Sequence, residues 1–504
     1  MNIKRAKQEI KDTIAAYLLK DEYGEYVIPQ IRQRPVLLLG APGIGKTQIM
    51  EQIAKECGIG LVSYTITHHT RQSAIGLPFV SKQSFGGREY TVTEYTMSEI
   101  VAAVYEKMEK TGLSEGILFI DEINCVSETL APAMLQFLQC KTFGSHEIPQ
   151  GWIIVAAGNP PEYNKSVREF DVVTMDRVKK IEVEPDFAVW KEYALLTQLH
   201  PAVIAYLNAR TGNFYKMETT VDGRKFATPR GWEDLSQMLI VYEKLGLKMD
   251  REVIIQYVQH EKVAKDFANY LELYEKYQMD YQLDAVLAGT IDPILLKKAA
   301  NASFDERLSV VSLILSRCRM EFANVIRQEQ LVIMLYDQLK IVKEGLLGAH
   351  GGQAAVFVKE IAQSFQAETQ NKKTAELLTR EEERLRRKAG DLLEAYAQKL
   401  AKAGTQSAEQ AMTLIKEWFD ARQDELERQQ GDAGQMLEHA FDFLEAAFGA
   451  GQEMVIFITE LNNDYYSVRF LQNCECERYY RYNKELLFEE SSRAIEARLR
   501  AMGR

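Results

Sequence analysis

Val36-Leu-Leu-Leu39-Gly40-Ala41-Pro42-Gly43-Ile44-Gly45-Lys46-Thr47 sets a short apolar run against a glycine-rich turn that ends in a Lys-Thr pair. Val36–Leu39 has the length and composition of a strand buried in a parallel sheet. From Gly40 the spacing is G-x-x-x-x-G-K-[ST], and helical patterning begins near Thr47. Such a turn aims consecutive backbone N–H groups at phosphate oxygens, and the helix N-terminus adds the positive end of its dipole. Lys46 can reach β- and γ-phosphates, and the Thr47 hydroxyl suits Mg²⁺. A strand before and a helix after set the pattern apart from a chance turn.

Downstream, Ile117-Leu-Phe-Ile120-Asp121-Glu122 reads as a second buried strand with two acids at its C-terminal end. Asp121 suits the surroundings of Mg²⁺, and Glu122 is placed to orient and polarise an attacking water. Val155-Ala-Ala-Gly-Asn159-Pro160 ends a third strand in an amide, which either contacts water or the γ-phosphate or simply caps an Asn-Pro turn. Two arginines follow: Arg177 just before the run Lys180–Val183, and Arg230 in Ala227-Thr-Pro-Arg-Gly231, which opens a helix.

Around these motifs the chain divides in two. Val36–Leu39, Leu61–Tyr64, Ile117–Ile120, Ile153–Ala156 and Lys180–Val183 alternate with helical segments at 46–57, 97–111 and 127–140, which predicts an α/β domain with a central parallel sheet over residues 1–185. Strand signals then fade. Residues 186–280 read as a helical lid and 281–504 as an all-helical extension. Within 353–430, Leu378, Leu385, Ala389, Leu392 and Tyr396 fit either an antiparallel helical hairpin or a plain bundle helix, with breaks expected at Gly404-Thr405 and Gly431-Asp-Ala-Gly434.

Composition bounds the function. The 504 residues are 46% hydrophobic and 26% charged, ordinary globular usage, and carry a net charge of −11. An acidic balance counts against a protein that coats nucleic acid. No apolar run approaches bilayer-spanning length, and the opening MNIKRAKQEIKD lacks an apolar leader core, so a cytoplasmic location without membrane insertion is expected. Six scattered cysteines fit reduced thiols, and Cys474-Glu-Cys476 lacks the second pair a zinc site needs.

The order of these motifs resembles AAA+ ATPases, most closely the MoxR-type branch, over about residues 30–245. The resemblance implies an α/β P-loop NTPase fold with a central parallel sheet, a small helical lid and assembly into a ring, usually a hexamer. It implies Mg-ATP as the bound nucleotide and ATP hydrolysis as the activity. By that likeness Asn159 matches the sensor-1 asparagine and Arg230 the sensor-2 arginine. Arg177, with Arg168 as the alternative, matches the arginine finger that reaches a neighbouring subunit. It also implies chaperone-like work on a protein client, in some relatives one carrying a von Willebrand factor A domain. The long helical C-terminal half departs from the compact family pattern.

Residues 70–96, with the turn Phe85-Gly-Gly-Arg88, and residues 141–151 read as hairpin insertions. Tyr90, Tyr95 and Phe143 either contact a partner or fill local clusters. His68-His69 reads as a strand-end pair, and Trp190, Trp232, Trp418 and the tyrosines near 465 and 480 as helical packing. Two other functions remain: a nucleotide-dependent switch or scaffold with little turnover, against which the intact Asp121-Glu122 pair counts, and a nucleic-acid-stimulated motor, for which no binding motif is present.

Overall fold

The computed structural model describes residues 1–68, 74, 76–143, 146–163, 170, 172–221, 223–347, 353–404 and 407–486. Contacts divide the chain into two compact units: residues 1–189 with 228–230 and 367–383, and the remainder, which is mostly helical.

The first unit is built on five parallel strands, β1 (Val36–Gly40), β2 (Gly60–Thr65), β5 (Gly116–Asp121), β8 (Trp152–Gly158) and β9 (Lys179–Val183), in the order β2-β5-β8-β1-β9. All five coincide with the runs anticipated from sequence. They were legible because β5 and β8 are covered on both faces and therefore read as unbroken apolar runs. The core joins Leu37, Leu118, Ile120 and Ile154 of the sheet to Ile100, Val104, Met134 and Phe137 of two helices. Those helices, Glu99–Thr111 and Ala131–Cys140, begin at Ser98, whose hydroxyl accepts from the Ile100 N–H, and at a Pro in the first turn.

Two hairpins extend from the sheet. β3 (Pro78–Phe85) and β4 (Arg88–Tyr95) pair antiparallel about Gly86 and Gly87, both at positive φ, so the expected hairpin is present there; residues 69–73 and 75 lie outside the described residues. β6 (Thr142–Phe143) pairs with β7 (His146–Glu147). Phe143 is buried and stacks on Phe137 with ring centroids 4.0 Å apart, so it is core and does not face a partner. Tyr90 and Tyr95 are exposed.

In the helical unit, β10 (Lys216–Thr220) and β11 (Gly223–Ala227) form a hairpin where sequence patterning suggested only helix. The helix Ala408–Phe448 also runs unbroken through Gly431 and Gly434, contrary to the break expected there. Each glycine costs about 1 kcal/mol in a helix interior. Burial of Ala433, Leu437, Ala440 and Phe441 on the same helix offsets that cost. Farther along, Leu335, Val358, Leu393 and Ile415 share one core, drawn from the helices Phe304–Leu347, Ala354–Thr374, Arg380–Ala403 and Ala408–Phe448. Among the described residues no helix is long and apolar enough to cross a membrane.

Candidate nucleotide site

β5, β8 and β1 are neighbours in the sheet, so their C-terminal ends bring Asp121, Asn159 and the loop after Gly40 to one edge. Open parallel sheets bind ligands at that edge. The loop needs its glycines. Gly43 and Gly45 have φ of +75° and +93°, and a Cβ on Gly43 would come within 3.3 Å of Thr228. Gly45 then caps the helix Lys46–Cys57, leaving that helix's first N–H groups facing the loop.

Lys46 is buried, and its ammonium donates to the carbonyls of Gly40 at 2.7 Å and Ala41 at 2.8 Å and to Asn159 Oδ1 at 2.9 Å. Burial pushes its pKa down to about 8; the Arg230 charge adds to the fall, while Asp121 and Glu122 oppose it. The Thr47 hydroxyl donates to Asp121 Oδ2 at 2.9 Å. Glu122 follows with a left-handed φ of 57°, its N–H donating to Asp121 Oδ1 at 2.9 Å. This kink starts the short turn Ile123–Cys125.

Gly40 to Thr47, Asp121, Glu122 and Asn159 are thus brought together. Arg230 joins them through its backbone, whose N–H donates to Gly43 O at 3.2 Å, and its side chain is exposed. Arg177 ends the helix Val172–Arg177 and is exposed. Arg168 lies outside the described residues. Sequence reading missed Asn124, buried in the turn after Glu122, whose Nδ2 donates to Asn159 O at 2.7 Å. Its only signal was its place two residues after the acid pair.

The donor set fits a magnesium nucleotide. A buried ammonium and a glycine loop suit phosphate oxygens, and a hydroxyl paired with a carboxylate suits a hard divalent cation. Elsewhere, no group of three or more His, Cys, Asp or Glu among the described residues is placed to hold a metal ion. Burial pushes the Cys476 thiol up to about 12, where it is a poor ligand.

The sheet, the loop and the helical remainder define an α/β P-loop NTPase with an all-α extension. Over residues 36–175 the chain matches the model of the ATPase family associated with various cellular activities (AAA). That stretch contains the glycine loop, both acids and Asn159. No curated protein matches the chain.

Proposed function

We propose that this protein binds and hydrolyses Mg-ATP as a ring of identical copies, a hexamer by resemblance, and uses the cycle to remodel or assemble a protein client in the manner of MoxR-type ATPases. The observation that carries the reading is the joined set at the sheet edge: Lys46 bonded to Asn159, and Thr47 bonded to Asp121 beside Glu122. Thr47 and Asp121 would hold Mg²⁺, which would supply charge neutralisation to the phosphates. The loop N–H groups and Lys46 bind the phosphates. Glu122 orients the water whose oxygen bonds to the γ-phosphorus as the bridging oxygen leaves with ADP, and Asn159 holds the γ-phosphate or that water. Arg230 contacts the nucleotide in its own chain, and Arg177 reaches it from a neighbouring copy.

The client contacts belong in part to the β3–β4 hairpin, an assignment supported by its exposed Phe79, Val80, Phe85 and Tyr90. A von Willebrand factor A domain is one form the client takes among MoxR-type systems.

Glu122→Gln is the test. ATP affinity should stay within a few-fold of wild type while steady-state hydrolysis falls by about a hundredfold or more, since water positioning is lost and phosphate binding is not. Hydrolysis at the wild-type rate would remove Glu122 from its assigned role, and failure of the wild-type chain to bind Mg-ATP in calorimetry would overturn the function.

A further inference from the structure

We infer that Asn124 is a positioning residue for hydrolysis: its amide locks the end of β8, and with it Asn159, to the turn that carries Glu122. The inference rests on the ATPase reading above and adds a residue to it.

Asn124 sits in the turn Ile123–Cys125, which the Cys125 N–H closes by donating to Glu122 O at 2.8 Å. That turn drives the side chain inward, where it is 4% exposed. Its Nδ2 donates to the backbone carbonyl of Asn159 at 2.7 Å. A carbonyl can only accept, so the atom facing it is nitrogen and the amide orientation is fixed. Oδ1 is consequently buried with no hydrogen-bond partner among the described residues. A buried acceptor without a partner is a net cost that an apolar side chain of similar size would avoid. Packing alone therefore does not account for an amide here; the donated bond does.

Gly158 completes the lock. Its φ is not in the left-handed region, so conformational freedom is not what requires glycine. A Cβ there would lie 2.6 Å from Asn124 Oδ1 and 2.8 Å from its Cγ. The amide thus lies flat against the Gly158 backbone. The next residue, Asn159, accepts from Lys46 through its side chain and from Asn124 through its main chain. A continuous line runs from the Glu122 turn through Asn124 and Asn159 to Lys46. The spacing between a water-orienting acid and a phosphate-contacting amide governs the chemical step, and a slip of about 1 Å costs roughly a hundredfold in rate. Phosphate binding by the glycine loop does not depend on that spacing.

Two variants of the full chain test this. Asn124→Leu keeps the branched outline in a larger side chain and removes both the donor and the orphaned acceptor; Gly158→Ala keeps Asn124 and pushes it off its partner. Each should lower kcat at least tenfold, with Mg-ATP affinity within threefold of wild type. Wild-type kcat in Asn124→Leu, or a loss that tracks weakened ATP affinity, would overturn the positioning role. Should Asn124→Leu fail to fold, a folded Gly158→Ala chain with wild-type kcat overturns it instead. A wild-type chain that does not bind and turn over ATP defeats the ATPase reading itself, and the control reports that separately.

Discussion

Lys46 Nζ meets Asn159 Oδ1 at 2.9 Å while also holding the Gly40 and Ala41 carbonyls, so all three ammonium hydrogens are engaged inside the protein. Burial lowers the folded pKa to about 8 from 10.5. Between those values the unfolded chain binds more protons than the folded one, so this group's contribution to stability rises with pH and is lost as pH falls through about 8. The full span is about 3 kcal/mol at ~1.4 kcal/mol per pH unit. Denaturant titration of the nucleotide-free protein at pH 8 and pH 10 should show that rise, and Lys46→Met should lack it. An equal rise in both proteins would mean that other groups produce it.

The Thr47–Asp121 hydrogen bond places a hydroxyl and a carboxylate together beside the loop. Asp121→Asn should weaken ATP binding about tenfold or more in Mg²⁺, yet leave binding in EDTA close to wild type, because only the metal-linked part of the affinity is lost. Calorimetry in the two buffers separates these. Equal losses in both would make Asp121 a structural residue of the loop.

What sequence made visible, and what it hid, follows from the range of each interaction. The sheet, the glycine loop and the acid pair are local patterns: apolar runs, fixed spacing, a strand end. The β10–β11 hairpin escaped because its strands are short and partly exposed, although Asp222-Gly223 is a turn signature in the sequence. Gly431 and Gly434 misled because helix propensity is weak beside the burial of neighbours such as Leu437 and Phe441. Asn124 was hidden for a different reason: its partner lies 35 residues away and is a backbone carbonyl, which leaves no side-chain pattern to read.

Trp152 starts β8 fully buried, its ring laid across Gly116 of the adjacent strand β5 and Gly60 of β2, the strand beyond it. A Cβ on Gly116 would lie 2.7 Å from the ring and 2.8 Å from the Gly60 carbonyl. Gly116→Ala should therefore destabilise the α/β unit by about 1–3 kcal/mol, the usual cost of overpacking. Gly112→Ala has open space and pays only for its positive φ, so it should cost less. Denaturation midpoints for the two variants test the order.

In the helical unit, Glu460 binds Lys191 and Arg319, the latter at 3.1 Å, with all three side chains at least 84% buried. Burial, the largest influence, raises the Glu460 pKa, but the two cations outweigh it and hold the carboxyl below 4.5. A lowered folded pKa contributes stability above the unfolded value, and that contribution disappears as pH falls through the folded one. Glu460→Gln leaves two buried cations without their counter-charge and should cost about 3 kcal/mol or more at pH 7. The gap from wild type should narrow as the solution is acidified below the ordinary carboxylate range, as read by denaturant unfolding. A gap that persists unchanged in acid would assign the loss to packing.

Arg177, proposed above to act on another copy, ends its helix exposed to solvent. Arg177→Ala should bind Mg-ATP with wild-type affinity yet hydrolyse it about a thousandfold more slowly, the scale of a trans-acting arginine. The loss should appear only at concentrations where copies assemble. Mixing Arg177→Ala with Glu122→Gln distinguishes action in trans: subunits with an intact Glu122 regain turnover when an intact Arg177 comes from the neighbour. Arg168→Ala, treated identically, tests the alternative donor. Recovery in one mixture and not the other assigns the finger, and recovery in neither would place hydrolysis within a single chain.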